Sequence, residues 1–239
     1  MNPALVLALK DLRSAARLRQ HIVAYLLFIL VVIVAFSSAI RLLPAGDYDP
    51  GDPSSAGTRG AVLQAASPGL LWLLLLLGSL LVLPRSFTSE VDRRTLDGLL
   101  LAPVDEGHLF LGKFLANAVL LLLGAVEAVV LFVVFLDVGF AGLALYALLL
   151  LSLGAIGLAA LGTLLAAATA RNRAREMAFA VLLIPIGLFS MVIPGIEVLA
   201  GLLATQGAPN PWSRILLLAA EDALFIGLGW GLVEHTLRE

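Results

Sequence analysis

Six apolar runs, at residues 22–40, 68–83, 114–136, 140–168, 177–193 and 215–233, leave this chain few folds to choose from. Crossing about 30 Å of hydrocarbon takes roughly 20 apolar residues in a helix, and with no water to satisfy exposed backbone groups only helices and closed barrels span. The reading is an all-α polytopic membrane protein with six transmembrane helices, forming a single transmembrane domain over residues 1–239. Only 13% of the residues are charged and 61% are hydrophobic, whereas a soluble domain carries about 25% charged residues. The first run is too long and too far from the start for a signal peptide, so the cleavage-like Ser37-Ser38-Ala39 is expected to be retained. There is no cysteine, which excludes disulfides, thiolate metal sites and iron–sulfur clusters.

The polar segments give the spans an order and a direction. Residues Asn2 to Gln20 put Leu5, Leu9, Leu12, Ala15 and Ala16 near one helical face and Lys10, Arg13, Arg17 and Arg19 largely elsewhere, the pattern of an interfacial amphipathic helix. Residues 41–66 hold Pro44, Gly46, Pro50, Gly51, Pro53 and Gly57 and read as a turn-rich polar loop. The fourth run is rich in small residues, among them Gly154, Gly157 and Gly162, which favours close approach of neighbouring backbones. Pro194-Gly195 is expected to end the fifth span, leaving Ile196 to Ala204 as a half-helix too short to cross. Six spans place both termini on one side. Twelve of the fifteen Lys and Arg residues then share that side, and only Arg41, Arg59 and Arg214 lie opposite. The positive-inside rule makes the basic side cytoplasmic.

The longest charged segment between spans, Pro84 to Lys113, invites a false reading. Gly107-His108-Leu109-Phe110-Leu111-Gly112-Lys113-Phe114 matches G-x4-G-K, but a phosphate loop needs Ser or Thr after the lysine, small residues inside, and a preceding strand. Here Phe114 follows and a span comes next. The residues fit instead a helix capped by Asp105 and running into the third span, with Lys113 snorkelling at the interface. Ser89-Glu90-Val91-Asp92 resembles a capping box, and Pro103 must end what it starts. Periodicity alone leaves a surface helix over Glu90 to Leu101 and a solvated loop equally open.

Inside the spans, Glu127, Glu221 and Asp222 stand out, because a charge at the bilayer centre costs about 2.5 to 3.5 kcal/mol on insertion scales and so usually faces a cavity or a partner. The bland alternative is a hydrogen-bonded structural acid within the bundle. Trp72, Trp212 and Trp230 fall near span ends, where aromatic-belt anchoring accounts for them. An intramembrane enzyme would need Glu127 and Asp222 as a carboxylate pair, and no local motif supports one. No catalytic residue and no metal site is assigned. His21, His108 and His235 are all cytoplasmic in this topology, so the chain offers no histidine in or outside the membrane to ligate haem iron. Met191, the thioether near the outer face, reads as packing.

The segment Phe87-x-x-Glu90, then Thr95-Leu96-Asp97-Gly98-Leu99-Leu100, Pro103-Val104 and Gly112-Lys113, resembles the region between the second and third spans of ABC-2 type permeases. Extended through Ser67-Pro68-Gly69-Leu70-Leu71-Trp72 and Lys113-Phe114-Leu115-Ala116-Asn117, it is similar to the haem-exporter permeases of cytochrome c maturation, the CcmB family. The resemblance implies a multi-pass protein of the cytoplasmic (inner) membrane with no bound cofactor. ATP would be hydrolysed on a separate subunit, CcmA, and CcmC, CcmD, the haem chaperone CcmE and a second copy of the chain would be its other partners. Haem would be the substrate, and Trp72 would be a surface for a porphyrin to stack on. Glu90, Val91, Arg94, Thr95, Leu96, Asp97, Leu99 and Leu100 match the positions that would seat a coupling helix in the ATPase. The resemblance leaves open whether hydrolysis moves haem or releases haem-loaded CcmE. The rival reading is an ABC-2 exporter of a lipid, polysaccharide or drug.

Overall fold

The computed structural model describes residues 3–17, 19–46, 52, 54, 57–87, 106–136, 144–170, 172, 174–203 and 211–238. Helices account for nearly all of them, and no strand occurs among the described residues. In chain order they are α1 (Pro3–Arg17), α2 (Arg19–Ile40), α3 (Arg59–Val82, tightened into a short 3-10 turn at Leu83–Arg85), α4 (Glu106–Leu136) and α5 (Ala144–Thr169). They continue with α6 (Arg175–Gly187), a π-helical stretch Leu188–Val192, α7 (Ile193–Leu203) and α8 (Pro211–Arg238). Six helical segments are long and apolar enough to cross a membrane: Ile22–Ile40, Arg59–Arg85, Gly107–Leu136, Ala144–Thr169, Arg175–Leu202 and Ile215–Val233. The chain is thus a six-span helical membrane protein.

α5 is the axis of the bundle. It packs against α3, α4, α6, α7 and α8, whereas α2 lies against α3 and α4. Of its apolar stretch 67% is buried in the bundle, against 22% for α2 and 17% for α8, which leaves those two on the periphery. The small residues explain the centrality. A Cβ on Gly154 would run into the Trp72 ring, one on Gly157 into Met191 and Asp222, and one on Gly162 into Leu83. Each glycine lets a large side chain of a neighbouring helix lie directly on the α5 backbone, the arrangement by which dispersion holds helices together in lipid.

The third span starts at Gly107, seven residues ahead of the expected Phe114, and two further boundaries differ from the sequence reading, each for a local reason. α3 begins nine residues before Pro68, capped by Thr58, and Pro68 sits buried within it. Arg59 and Gly60 donate their N–H groups to Pro44 O (3.0 Å) and Gly46 O (3.1 Å), so the loop supplies the partners a helix start lacks. The fifth span does not stop at Pro194-Gly195. Leu188 shares its N–H between Ile184 O and Pro185 O, and Ile193 reaches back five residues to Leu188 O. The wide turn restarts the ladder so that Pro194 falls in the first turn of α7, where a missing N–H breaks nothing. The expected half-helix over 196–204 is therefore, as far as Leu203, the direct continuation of the fifth span.

Candidate functional site

At the α1 end of the bundle, the segment 88–105 leaves from Phe87 and returns at Glu106, and a polar cluster ties its root to four helices. Lys113, two turns into α4, is 3% exposed. Its Nζ donates to Ser86 O at 2.6 Å and pairs with Asp11 Oδ2 of α1 at 3.2 Å. The same ammonium lies 5.0 Å from the centre of the Phe87 ring, within cation–π range. One turn on, Asn117 Nδ2 donates to Ser86 Oγ (2.7 Å) and to Thr163 Oγ1 (2.8 Å), and the Thr163 hydroxyl donates to Ala159 O (2.6 Å). Lys113 does not snorkel. It is a buried cation compensated by a carboxylate, a carbonyl and an aromatic face, which is what desolvation of an ammonium demands.

The false phosphate motif receives a packing explanation from the same region. α1 buries Ala4 and Ala8 against α4, while Leu5, Val6 and Leu9 stay exposed on its other face. A Cβ on Gly112 would press on Leu7 Cβ (2.7 Å) and Ala4 O (3.1 Å), so only glycine lets α1 come this close. A Cβ on Gly107 would meet the Trp230 indole (2.8 Å), whose ring also lies 5.5 Å from that of His108. The two glycines and the lysine serve three helix contacts. The sequence reading did not foresee that Asp11, 102 residues away, is the lysine's partner; the acid standing alone among basic residues of α1 was the available signal.

The intramembrane candidates fall into two groups. Trp72 (0% exposed) is held between Gly154 of α5 and Gly195 of α7. One turn along α5, the position of a Cβ on Gly157 is flanked by Met191 and Asp222 Oδ1. Trp72 and Asp222 are thus neighbours on one face of α5, in successive layers, with Met191 packing between helices as expected. Trp72 Nε1 and Asp222 Oδ1 are both buried with no hydrogen-bond partner among the described residues. The first of these is a correction: Trp72 is a core residue and not part of an interfacial belt. Trp212 (62% exposed) and Trp230 (42%) keep the exposure that a belt requires. Glu221 is half-buried beside Asp222, and its Oε2 also lacks a hydrogen-bond partner among the described residues.

Glu127 belongs to a different place. It lies one turn beyond Gly124 on α4, and Gly124 and Gly78 both back onto the buried ring of Tyr25 from α2. Glu127 Oε2 and the Tyr25 hydroxyl are unpaired among the described residues. The surrounding wall of Ile29, Leu71, Leu74, Leu75, Ala125, Ala128 and Leu151 is packed too tightly to admit water. Tyr25 escaped the sequence reading because a tyrosine in an apolar run looks like lipid-facing filler; glycines on two other spans mark it only in three dimensions. Among the described residues no group of three or more His, Asp or Glu gathers to hold a metal ion. Glu90, Val91, Arg94, Thr95, Leu96, Asp97, Leu99 and Leu100 lie outside the described residues.

The described residues form a six-span helical bundle with α1 clamped to its third span and polar groups buried along a central glycine-lined helix, the architecture of a polytopic membrane protein. A family profile described as CcmB protein matches residues 52–228, most of the chain, and the chain belongs to that family. Comparison with curated proteins gives no match. Membership makes the chain a permease component of a cytochrome c maturation ABC system, a transporter part and not an enzyme, with an ATPase among its partners.

Proposed function

We propose that the chain is the membrane permease through which ATP hydrolysis on a CcmA subunit drives haem delivery for cytochrome c assembly. The observation that carries the reading is the family match over 52–228, which takes in the segment 88–105 and both of its roots. The chain acts as one ABC-2 type permease domain. Two copies assemble with CcmA in the inner membrane, both termini cytoplasmic, with CcmC, CcmD and CcmE as further partners. The orientation rests on the twelve-to-three division of Lys and Arg. Glu90 to Leu101 forms the coupling helix. A rigid piece joined at both ends to spans passes the movement of a soluble domain into the membrane, and the polar cluster at Lys113 gives it a firm base.

Between the two uses of ATP, release of haem-loaded CcmE is favoured over passage of haem through this subunit, because His21, His108 and His235 all lie at or just beyond the cytoplasmic ends of the spans in the proposed topology, and none lies at mid-membrane depth or on the outer side. Trp72, Glu127, Glu221 and Asp222 are proposed to answer the movement, since each of them holds a buried polar atom without a hydrogen-bond partner among the described residues. A null strain tests the reading. Holo-cytochromes c should be absent from it while b-type haem proteins persist; normal c-type levels would end the proposal.

A further inference from the structure

Lys113 is the one described lysine or arginine that the bundle buries, and its partners are unusual in where they come from. Asp11 is on α1, Ser86 closes α3, and Phe87 is the last described residue before segment 88–105. Asn117, one turn further along α4, carries the same Ser86 on to Thr163 of α5. Near the return of the segment, Gly112 holds the α1 backbone against α4. A structural ion pair alone would need only Asp11. The additional bond to the main-chain oxygen of Ser86 holds the point from which segment 88–105 leaves the bundle.

We infer that Lys113 is a positioning residue that makes α1, the end of α3 and the start of α4 move as one body, so that displacement of segment 88–105 reaches α5 and is not lost at the root. The inference rests on the reading that this segment receives force from an ATPase. Asp11 also has Lys10 at 3.5 Å on its other oxygen, but only the desolvated ammonium of Lys113 joins that carboxylate to the Ser86 carbonyl, so Lys113 is the link that stiffens the joint. Removing the charge frees Ser86 O, leaves Asp11 to Lys10 alone, and lets the root swivel.

The test uses Lys113→Met, Asp11→Asn and the charge-keeping Lys113→Arg in the full complex. Because the chain has no cysteine, spin labels at Ser14→Cys and Leu81→Cys report the α1-to-α3 distance uniquely. One narrow distance population is expected in the parent protein and in Lys113→Arg, and a broadened one in Lys113→Met and Asp11→Asn. In those two variants the complex should still assemble and hydrolyse ATP, while holo-cytochrome c formed per ATP hydrolysed falls at least about fivefold, the low end of coupling between distant sites. Unchanged distances with unchanged yield per ATP would overturn the inference, as would loss of ATPase binding with the distances still narrow. If Lys113→Met does not reach the membrane, Asp11→Asn decides by the same two readouts. Failure of the haem reading shows separately, as normal holo-cytochromes c in the null strain, and leaves the distance measurement to judge Lys113.

Discussion

Tyr25 is buried between glycines of two other spans, yet its hydroxyl makes no hydrogen bond among the described residues, and neither does the nearby Glu127 Oε2. An orphaned buried hydroxyl costs about 1–3 kcal/mol, so Tyr25→Phe should raise the thermal midpoint of the purified protein. If that variant is more stable but delivers less haem to cytochromes c, the hydroxyl is kept for function; if delivery is unchanged, Tyr25 is a packing residue. Gly124→Val tests the packing itself. The added carbons meet the Tyr25 ring and hydroxyl, and overpacking of this kind costs about 1–3 kcal/mol, read as a lowered midpoint or loss of protein from the membrane. None of this was visible in the sequence, where Gly78, Gly124 and Tyr25 lie on three separate runs and nothing local joins them.

At the scale of elements, the runs themselves were legible because a bilayer imposes length and apolarity on each span independently of its neighbours. The helices over 22–40 and 215–233 fall where the runs place them. The errors came where neighbours decide. Pro194-Gly195 reads as a stop, but the π turn ahead of it absorbs the missing donor and Gly195 becomes a seat for Trp72. Trp72 looked interfacial because of its place in the run, and it is buried because α5 and α7 each present a glycine to it. The glycine-rich fourth run, by contrast, predicted close packing correctly, since small residues have no other use in a span. The segment 88–105 is tested directly: Leu99→Asp with Leu100→Asp should release a co-purifying ATPase subunit, and intact co-purification would count against docking there.

For the whole molecule, orientation is the property that both the charge division and the proposed partner contacts depend on. With no native cysteine, a single Ser54→Cys should react with a membrane-impermeant maleimide added from outside, and Ser89→Cys should not; the reverse pattern would invert the topology. The expectation rests on the count of charges, because six spans segregate the basic residues and an odd number of spans would scatter them.

The ion pair between Asp11 and Lys113 also bears on how the protein is made. Synthesis delivers the acid 102 residues before the base, so α1 is already available to supply the carboxylate when the third span enters the membrane. A nascent chain whose first helix is cut away, or held off by a bulky fusion, would insert that span with its ammonium left to the Ser86 carbonyl and the Phe87 ring, without a carboxylate to balance its charge. Breaking a buried pair from one side typically costs about 3–5 kcal/mol. Removal of residues 1–17 should therefore lower the amount of protein that survives in the membrane, by pulse-chase, while the double change that also replaces Lys113 with Met should recover part of it.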